Sequence, residues 1–315
     1  MLQITGRRLL SVVPILLGVS LVAFLLMRLV PGDFTLVLLG PFATEERIAE
    51  LRAFYGLDRP LHIQYLRWLS ATVQGDFGQS VGYRVPVADI LWDRVVNSLV
   101  LTTGAALLAI GFGAGGGLLA ALRRHGVFDR TATLVALVLA SAPTFWFGLL
   151  LLYVFALELG WFPAIGMYTI GREGDILDLL WHLPLPAVSA SLISLAVIFR
   201  LTRSALLDVL SRDYIRAARA RGLSEHRIIY KHALRSVVPP VVNISGLQIG
   251  FIFGSALFAE VIFQWPGIGL LMYNAVLSRD VPVIQAVLLV IALVFVLVNL
   301  VTDLVIAALT PQARS

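Results

Sequence analysis

The chain has 315 residues, 59% hydrophobic and only 14% charged, with a mean hydropathy of +0.90. Soluble domains carry about 25% charged residues, so composition argues against a large soluble protein, and the absence of cysteine excludes disulfides, thiol chemistry and thiolate metal sites. A net charge of +5 and a pI of 9.9 would suit nucleic acid, but the positive residues sit in loops between apolar runs, which membrane topology explains better.

Arg7 and Arg8 precede an apolar run from Leu9 to Val30. The run is longer than a signal-peptide core and lacks a small-x-small cleavage site, so it reads as an uncleaved first transmembrane helix. Residues 31–96 are the one long polar stretch. Thr44 is placed to cap a helix, with Glu45 and Glu46 in its first turn, Ile48, Leu51 and Tyr55 as its stripe and Gly56 at its end. Pro60 opens a second helix with Ile63, Leu66 and Leu69 expected inward. Gly75 to Ser80 reads as a turn, and Pro86 opens a third short helix leading into the membrane. This external cap is too small to fold alone.

Five further spans are expected at 99–122, 133–157, 183–202, 237–259 and 283–307. Gly111, Gly113, Gly115, Gly116 and Gly117 crowd the first of them. They permit either close helix approach or a bend. Pro143 and the Pro184/Pro186 pair mark kinks or helix starts. With the N-terminus inside, 15 of the 24 basic residues but only 5 of the 19 acids fall on the inner side. The basic excess places both termini in the cytoplasm, and an even number of spans, six, satisfies that.

Several chemistries have no support in the residues. The single lysine, Lys231, is preceded by Tyr230 and followed by His232, so no P-loop is present. The five histidines show no zincin spacing, and no nucleophile elbow occurs. The spans between 99–122, 133–157, 183–199, 237–259 and 283–302 contain no Asp, Glu, Lys, Arg or His. Ion-coupled carriers usually place such groups there. Backbone-bound sodium at broken helices remains open, so a self-contained secondary carrier is disfavoured, and a transporter with this core would draw its energy from elsewhere. Asn243, Gln248 and Asn299 are polar residues within spans, read either as interhelical contacts or as part of a translocation path.

The stretch from Ser211 to Pro240 is a basic, helix-forming island with seven Arg or Lys residues. Tyr214 to Arg221 is helix-forming, with a small-residue face at Ala217, Ala218 and Ala220. Gly222 ends it with positive φ. Ser224 is placed to cap a second helix, with Glu225 following. A compact corner of this kind suits a partner's groove. A purely topogenic loop, or one that binds anionic lipid, remains the alternative.

Arg216-Ala217-Ala218, three residues and then Gly222 resemble the EAA---G signature of membrane subunits of bacterial ATP-binding-cassette importers. The run from Asp213 to Arg235 is similar to the dipeptide/oligopeptide permease branch, in its B-type subunit. The generic signature has Glu where Arg216 stands and ends I-x-L-P where this chain has His232-Ala233-Leu234-Arg235. The likeness covers almost the whole chain: the first span with Val30-Pro31-Gly32-Asp33, Gly56-Leu57-Asp58-Arg59-Pro60, Gly75 to Ser80, Gly160-Trp161-Phe162-Pro163, Phe263 to Gly269, and Arg279 to Gln285.

The resemblance implies an all-α integral membrane protein with the type I importer permease fold. Residues 1–30 would be the N-terminal transmembrane helix, 31–96 an external helical region, and 97–309 the permease domain containing a coupling region at 205–236. It implies a second related permease subunit, two cytoplasmic ATPases that bind ATP and Mg, an external substrate-binding protein and the lipid bilayer of a bacterial cell membrane as partners. No nucleic acid, and no catalytic residue, cofactor or metal in this chain itself, is expected. Asp213, Tyr214, Arg216, Ala217, Ala218, Arg221, Gly222, Leu223 and Ser224 would contact the ATPases, and the Tyr214–Lys231 region would carry their motion to the helices in an alternating-access cycle. Di- or oligopeptides are the implied substrates. Nickel chelate, glutathione or another solute is the alternative.

Overall fold

In a computed structural model, residues 2–29, 44, 46 and 58–309 are described. Among them the secondary structure is helical, apart from one isolated bridge between Gln79 and Pro86. The chain divides into two compact units, residues 1–96 with 267–296, and residues 97–266 with 297–315. The expected helix from Thr44 to Gly56 lies outside the described residues, except for Thr44 and Glu46.

In the first unit, α1 (Leu2–Leu29) meets α2 (Leu61–Val73). Tyr65 packs edge-on against Phe24 with ring centroids 5.5 Å apart, and its hydroxyl lies 2.8 Å from the Ser20 Oγ. Trp68 lies 5.9 Å from Phe24. The expected inward stripe is corrected here. Ile63 and Leu69 are half-buried, but Leu66 is exposed, and Gln64 is buried instead. Tyr65 and Trp68 bring more apolar area than Leu66, and Tyr65 also supplies a hydroxyl that reaches Ser20.

The turn at Gly75–Ser80 forms with Gly75 and Gly78 both at positive φ. Its far end is pinned by Asp280, whose buried carboxylate accepts from the Ser80 hydroxyl at 2.5 Å and the Gly82 N–H at 2.9 Å. Between them, α11 (Ile268–Ser278) ends in the left-handed Arg279, and α12 (Val281–Leu309) starts beyond Asp280. Asp280 therefore sits at the start of α12 and holds a loop 200 residues away.

The helix opened by Pro86 and the second span are one element, α3 (Val87–Leu122). The third span is not straight. α4 (Val127–Ser141) and α5 (Thr144–Leu151), with a π-helical extension to Glu158, meet at 109°. Ala142 is extended because the ring of Pro143 disfavours helical geometry in the residue before it. The pair still runs the length of α7 (Pro184–Leu210) in the opposite direction. Asp129 in its first turn bonds Arg203 near the end of α7. Ala136 shares a cluster with Ala196 and Phe199. Gly148 lies against Ser189, and Leu151 and Phe155 join the cluster of Leu185 at the other end. It is a single broken span rather than a loop that turns back.

α6 (Ile176–His182) leads into α7. After α7 come α8 (Asp213–Ala220), the short α9 (Glu225–Arg227) with a π-helical turn at Ile228–Ala233, and α10 (Leu234–Ile262). Pro239 and Pro240 lie inside the first turns of α10 rather than ahead of it. Among the described residues, four stretches are long and apolar enough to cross a membrane: α3, α7, residues 225–262 and residues 281–302 of α12. The broken pair makes a fifth. α1 adds 28 residues, with an apolar section at Val12–Leu25.

The glycines of α3 divide by face. Gly113, Gly116 and Gly117 press on α7. A Cβ on Gly117 would sit 2.5 Å from the Phe199 carbonyl oxygen and 2.9 Å from the Thr202 Cβ. Gly111 and Gly115, on the opposite face, meet nothing within 4 Å. Close helix approach is therefore the role of the first set. Gly117→Ala should destabilise by about 1–3 kcal/mol, the usual cost of overpacking, because backbone cannot yield as a side chain can. Gly115→Ala should not. Melting of the two purified variants in detergent checks the contrast, and equal melting temperatures would refute it.

Candidate functional site

The basic island folds into a corner. α8 ends at Ala220 with Arg221 as its C-cap, and Gly222 follows at φ +78. The Gly222 N–H donates to the Arg219 carbonyl at 2.9 Å and the Leu223 N–H to the Ala218 carbonyl at 3.3 Å. This double closure with a left-handed glycine is the Schellman ending, and Leu223 makes its apolar contact in a cluster with Ala218. Ser224 has the extended backbone of a helix N-cap, but its side chain makes no capping bond.

One ion pair fixes the angle of the corner from outside. Arg219 donates to Glu225 through Nε at 2.6 Å and Nη2 at 3.3 Å, spanning the break. The Arg219 guanidinium holds the Glu225 carboxyl below its usual value. The pair is exposed, so it orients more than it stabilises. The rings of His226 and Tyr230 also lie 4.4 Å apart.

Beneath the corner runs an apolar layer. Ile215 and Ala218 of α8 and Ile228 and Ala233 of the π-helical turn are buried with Leu206 and Val209 of α7, Ala121 of α3 and Val237 of α10. The corner is thereby seated on the ends of three spanning helices. Above it, Asp213, Tyr214, Arg216, Ala217, Arg221, Gly222 and Ser224 are exposed on one contiguous stretch. Leu223 is half-buried. Ala218, expected among the contact residues, is only 3% exposed and packs against the chain itself. It supports the corner from below and offers no surface.

A second feature near the same end has no signature in spacing, because its partners are 74 residues apart. Asp129 is buried in the first turn of α4 and receives both Nε and Nη2 of Arg203, at 2.5 and 2.9 Å, together with the backbone N–H of His125 at 3.0 Å. It clasps the α3–α4 hairpin to α7 shortly before α7 delivers the chain into the corner.

The opposite end of the second unit holds another lock. The Trp265 indole donates to the Asn97 carbonyl and the Asn97 amide donates to the Pro266 carbonyl, each at 2.9 Å. Glu260, fully buried in the last turn of α10, accepts from the Ser98 hydroxyl. The three polar residues considered for a path are not gathered on one face. Gln248 is buried and Asn243 exposed, five residues apart on α10, and Asn299 is half-buried on α12. No group of His, Asp or Glu able to hold a metal occurs among the described residues.

Residues 113–315 match the family described as the binding-protein-dependent transport system inner membrane component, and residues 1–102 match the N-terminal region of the same class of membrane component. The chain is 38% identical over 307 residues to the oligopeptide transport system permease protein AppB of Bacillus subtilis, covering 97% of each. It is 41% identical over 314 residues to the glutathione transport system permease protein GsiC of Escherichia coli K12, covering 100% of this chain and 99% of that one. Its fold is similar to a chain of the inward-facing MetNI methionine ABC transporter, with a TM-score of 0.58 at 19% identity over 70% of this chain and 96% of that one. The chain belongs to the inner-membrane-component family of binding-protein-dependent transport systems, as a multi-pass, ABC-importer permease subunit.

Proposed function

We propose that this permease imports di- or oligopeptides, that it forms half of the pathway beside a second related permease, and that it catalyses no reaction itself. Two partner ATPases, which bind ATP and Mg, couple to the permease pair, and the exposed surface of the 213–224 corner is where this chain meets them. An external binding protein delivers the substrate. The observation that carries this reading is the corner itself, a basic, sharply closed surface rooted by a dry layer in α3, α7 and α10. A partner pushing on it moves three spans together, as alternating access requires. The basic excess on the expected inner side supports a cytoplasmic corner and cytoplasmic termini, with residues 31–96 external.

The likeness to AppB favours peptides, and the likeness to GsiC makes glutathione the second reading. Affinity capture of this chain from its native membranes in mild detergent tests the assembly. A second six-span permease and one or two P-loop ATPases are expected with it. Recovery of the chain alone, even after crosslinking at Ala217, would overturn the reading and bring the secondary carrier forward. Uptake of labelled dipeptide and labelled glutathione into vesicles loaded with ATP, in the presence of the binding protein, separates the two substrates.

A further inference from the structure

The segment between the broken span and α7 has inverted polarity. On α6, Asp178 and His182, four residues apart, face inward and are buried. The outward face carries Ile176, Leu177, Leu180 and Trp181, from 50% to 78% exposed. The inner face is specified in detail. The Asp178 carboxylate accepts from the Thr169 N–H at 2.6 Å and from its hydroxyl at 2.8 Å, and the His182 Nδ1 lies 2.9 Å from the Asp178 carbonyl oxygen. The two Thr169 bonds hold the turn before α6 against the helix and fix its rotation, so the apolar side cannot be turned inward without breaking them. In water this arrangement is the wrong way out.

We infer that the outer face of α6 lies in the interfacial layer of the bilayer, at the end of the spans opposite the basic corner, with lipid headgroups and upper acyl chains as its partner. Position supports this. Only Leu183 separates α6 from the spanning α7, and the segment begins where the broken span ends at Glu158. The exposed stripe of that span, Leu149, Tyr153 and Leu157, is continued along the chain by Trp161. Trp181 donates its indole N–H to the Trp161 backbone carbonyl at 3.0 Å, so two exposed tryptophans are joined at a span end, the place such side chains favour at the headgroup level. The exposed charged residues of the segment are confined to the turn at Arg172, Glu173 and Asp175. A protein that binds and leaves in each cycle would expose this face to water at every release. Lipid covers it throughout.

The inference needs only that the chain spans a membrane, not that peptide is its substrate. The chain has no cysteine of its own, so single sites can be spin-labelled. Leu177→Cys and Glu173→Cys would be labelled in the assembled importer in phospholipid nanodiscs, with the unaltered chain setting the background. Collision with oxygen and with a water-soluble nickel chelate then reads the depth. The Leu177 site should favour oxygen and lie about 5–10 Å below the phosphates, while the Glu173 site favours nickel. Preference for nickel at both sites would overturn the inference. So would protection of the Leu177 site that arises only when the substrate-binding protein is added. If Leu177→Cys fails to assemble, quenching by brominated lipid chains serves: Trp181→Phe should remove part of the quenching seen in the wild type, and unchanged quenching overturns the inference.

Discussion

Ala217→Trp should leave this chain at its normal level in the membrane and reduce ATP-driven uptake by more than about tenfold, the loss that goes with about 1.4 kcal/mol of binding to the ATPases. Ala217 is exposed on α8 with nothing of its own chain above it, so the added ring obstructs only an incoming surface. Ala218→Trp is the informative contrast. That residue lies in the layer with Ile215, Ile228 and Leu206, so the ring has no room and the corner is disrupted from within. The amount of assembled protein should fall as well as its transport. Gly222→Pro should also abolish coupling, because proline cannot adopt φ +78 and lacks the N–H that Gly222 donates to Arg219. Uptake and ATPase co-purification, both normalised to the amount of chain in the membrane, check all three. Wild-type uptake by Ala217→Trp would sink the docking assignment.

The sequence exposed some of this arrangement and concealed the rest for identifiable reasons. Gly222 announced its turn because an alanine-rich helix meeting one glycine has a local ending that needs no tertiary information. The inward placement of Ala218 needed the identity of what lies below. Its pairing with Ile215 at i and i+3 is visible, but so is the small-residue face it makes with Ala217. Pro143 marks a break in the third span, and only packing against α7 decides its angle and sets the two ends of the pair at opposite ends of α7. The glycines of α3 were ambiguous as a group because close approach is a property of a face, and Gly111 and Gly115 point away from α7. On α2 the inward stripe was assigned to aliphatic residues, whereas the neighbouring Ser20 and Phe24 favoured Tyr65 and Trp68. Glu260 lies one residue beyond the apolar run of its span, and the Ser98 hydroxyl that donates to it is far away in sequence. Asp129 and Arg203 each read as ordinary loop charges, because a contact across 74 residues leaves no periodic trace.

That last pair carries the largest expected effect on stability. Arg203→Ala should destabilise the chain by about 3–5 kcal/mol, the usual cost of leaving one member of a buried ion pair without its partner. The asymmetry of the pair sets the sign. The Asp129 side chain is only 4% exposed while that of Arg203 is 26% exposed, so removing the arginine strands the more deeply buried charge. The His125 N–H then remains to compensate it. Asp129→Leu combined with Arg203→Met should recover most of the loss, since two apolar groups of similar size leave no uncompensated charge, and the two changes are in direct contact and so will not add. Melting of the single and double variants in one detergent gives the coupling. Additive losses would mean that the clasp is held by packing and not by charge. Transport separates structure from function: if the clasp transmits motion from the corner into the α3–α4 hairpin, the double variant should regain its stability and still import more slowly, whereas recovery of both would make the pair a brace and nothing more.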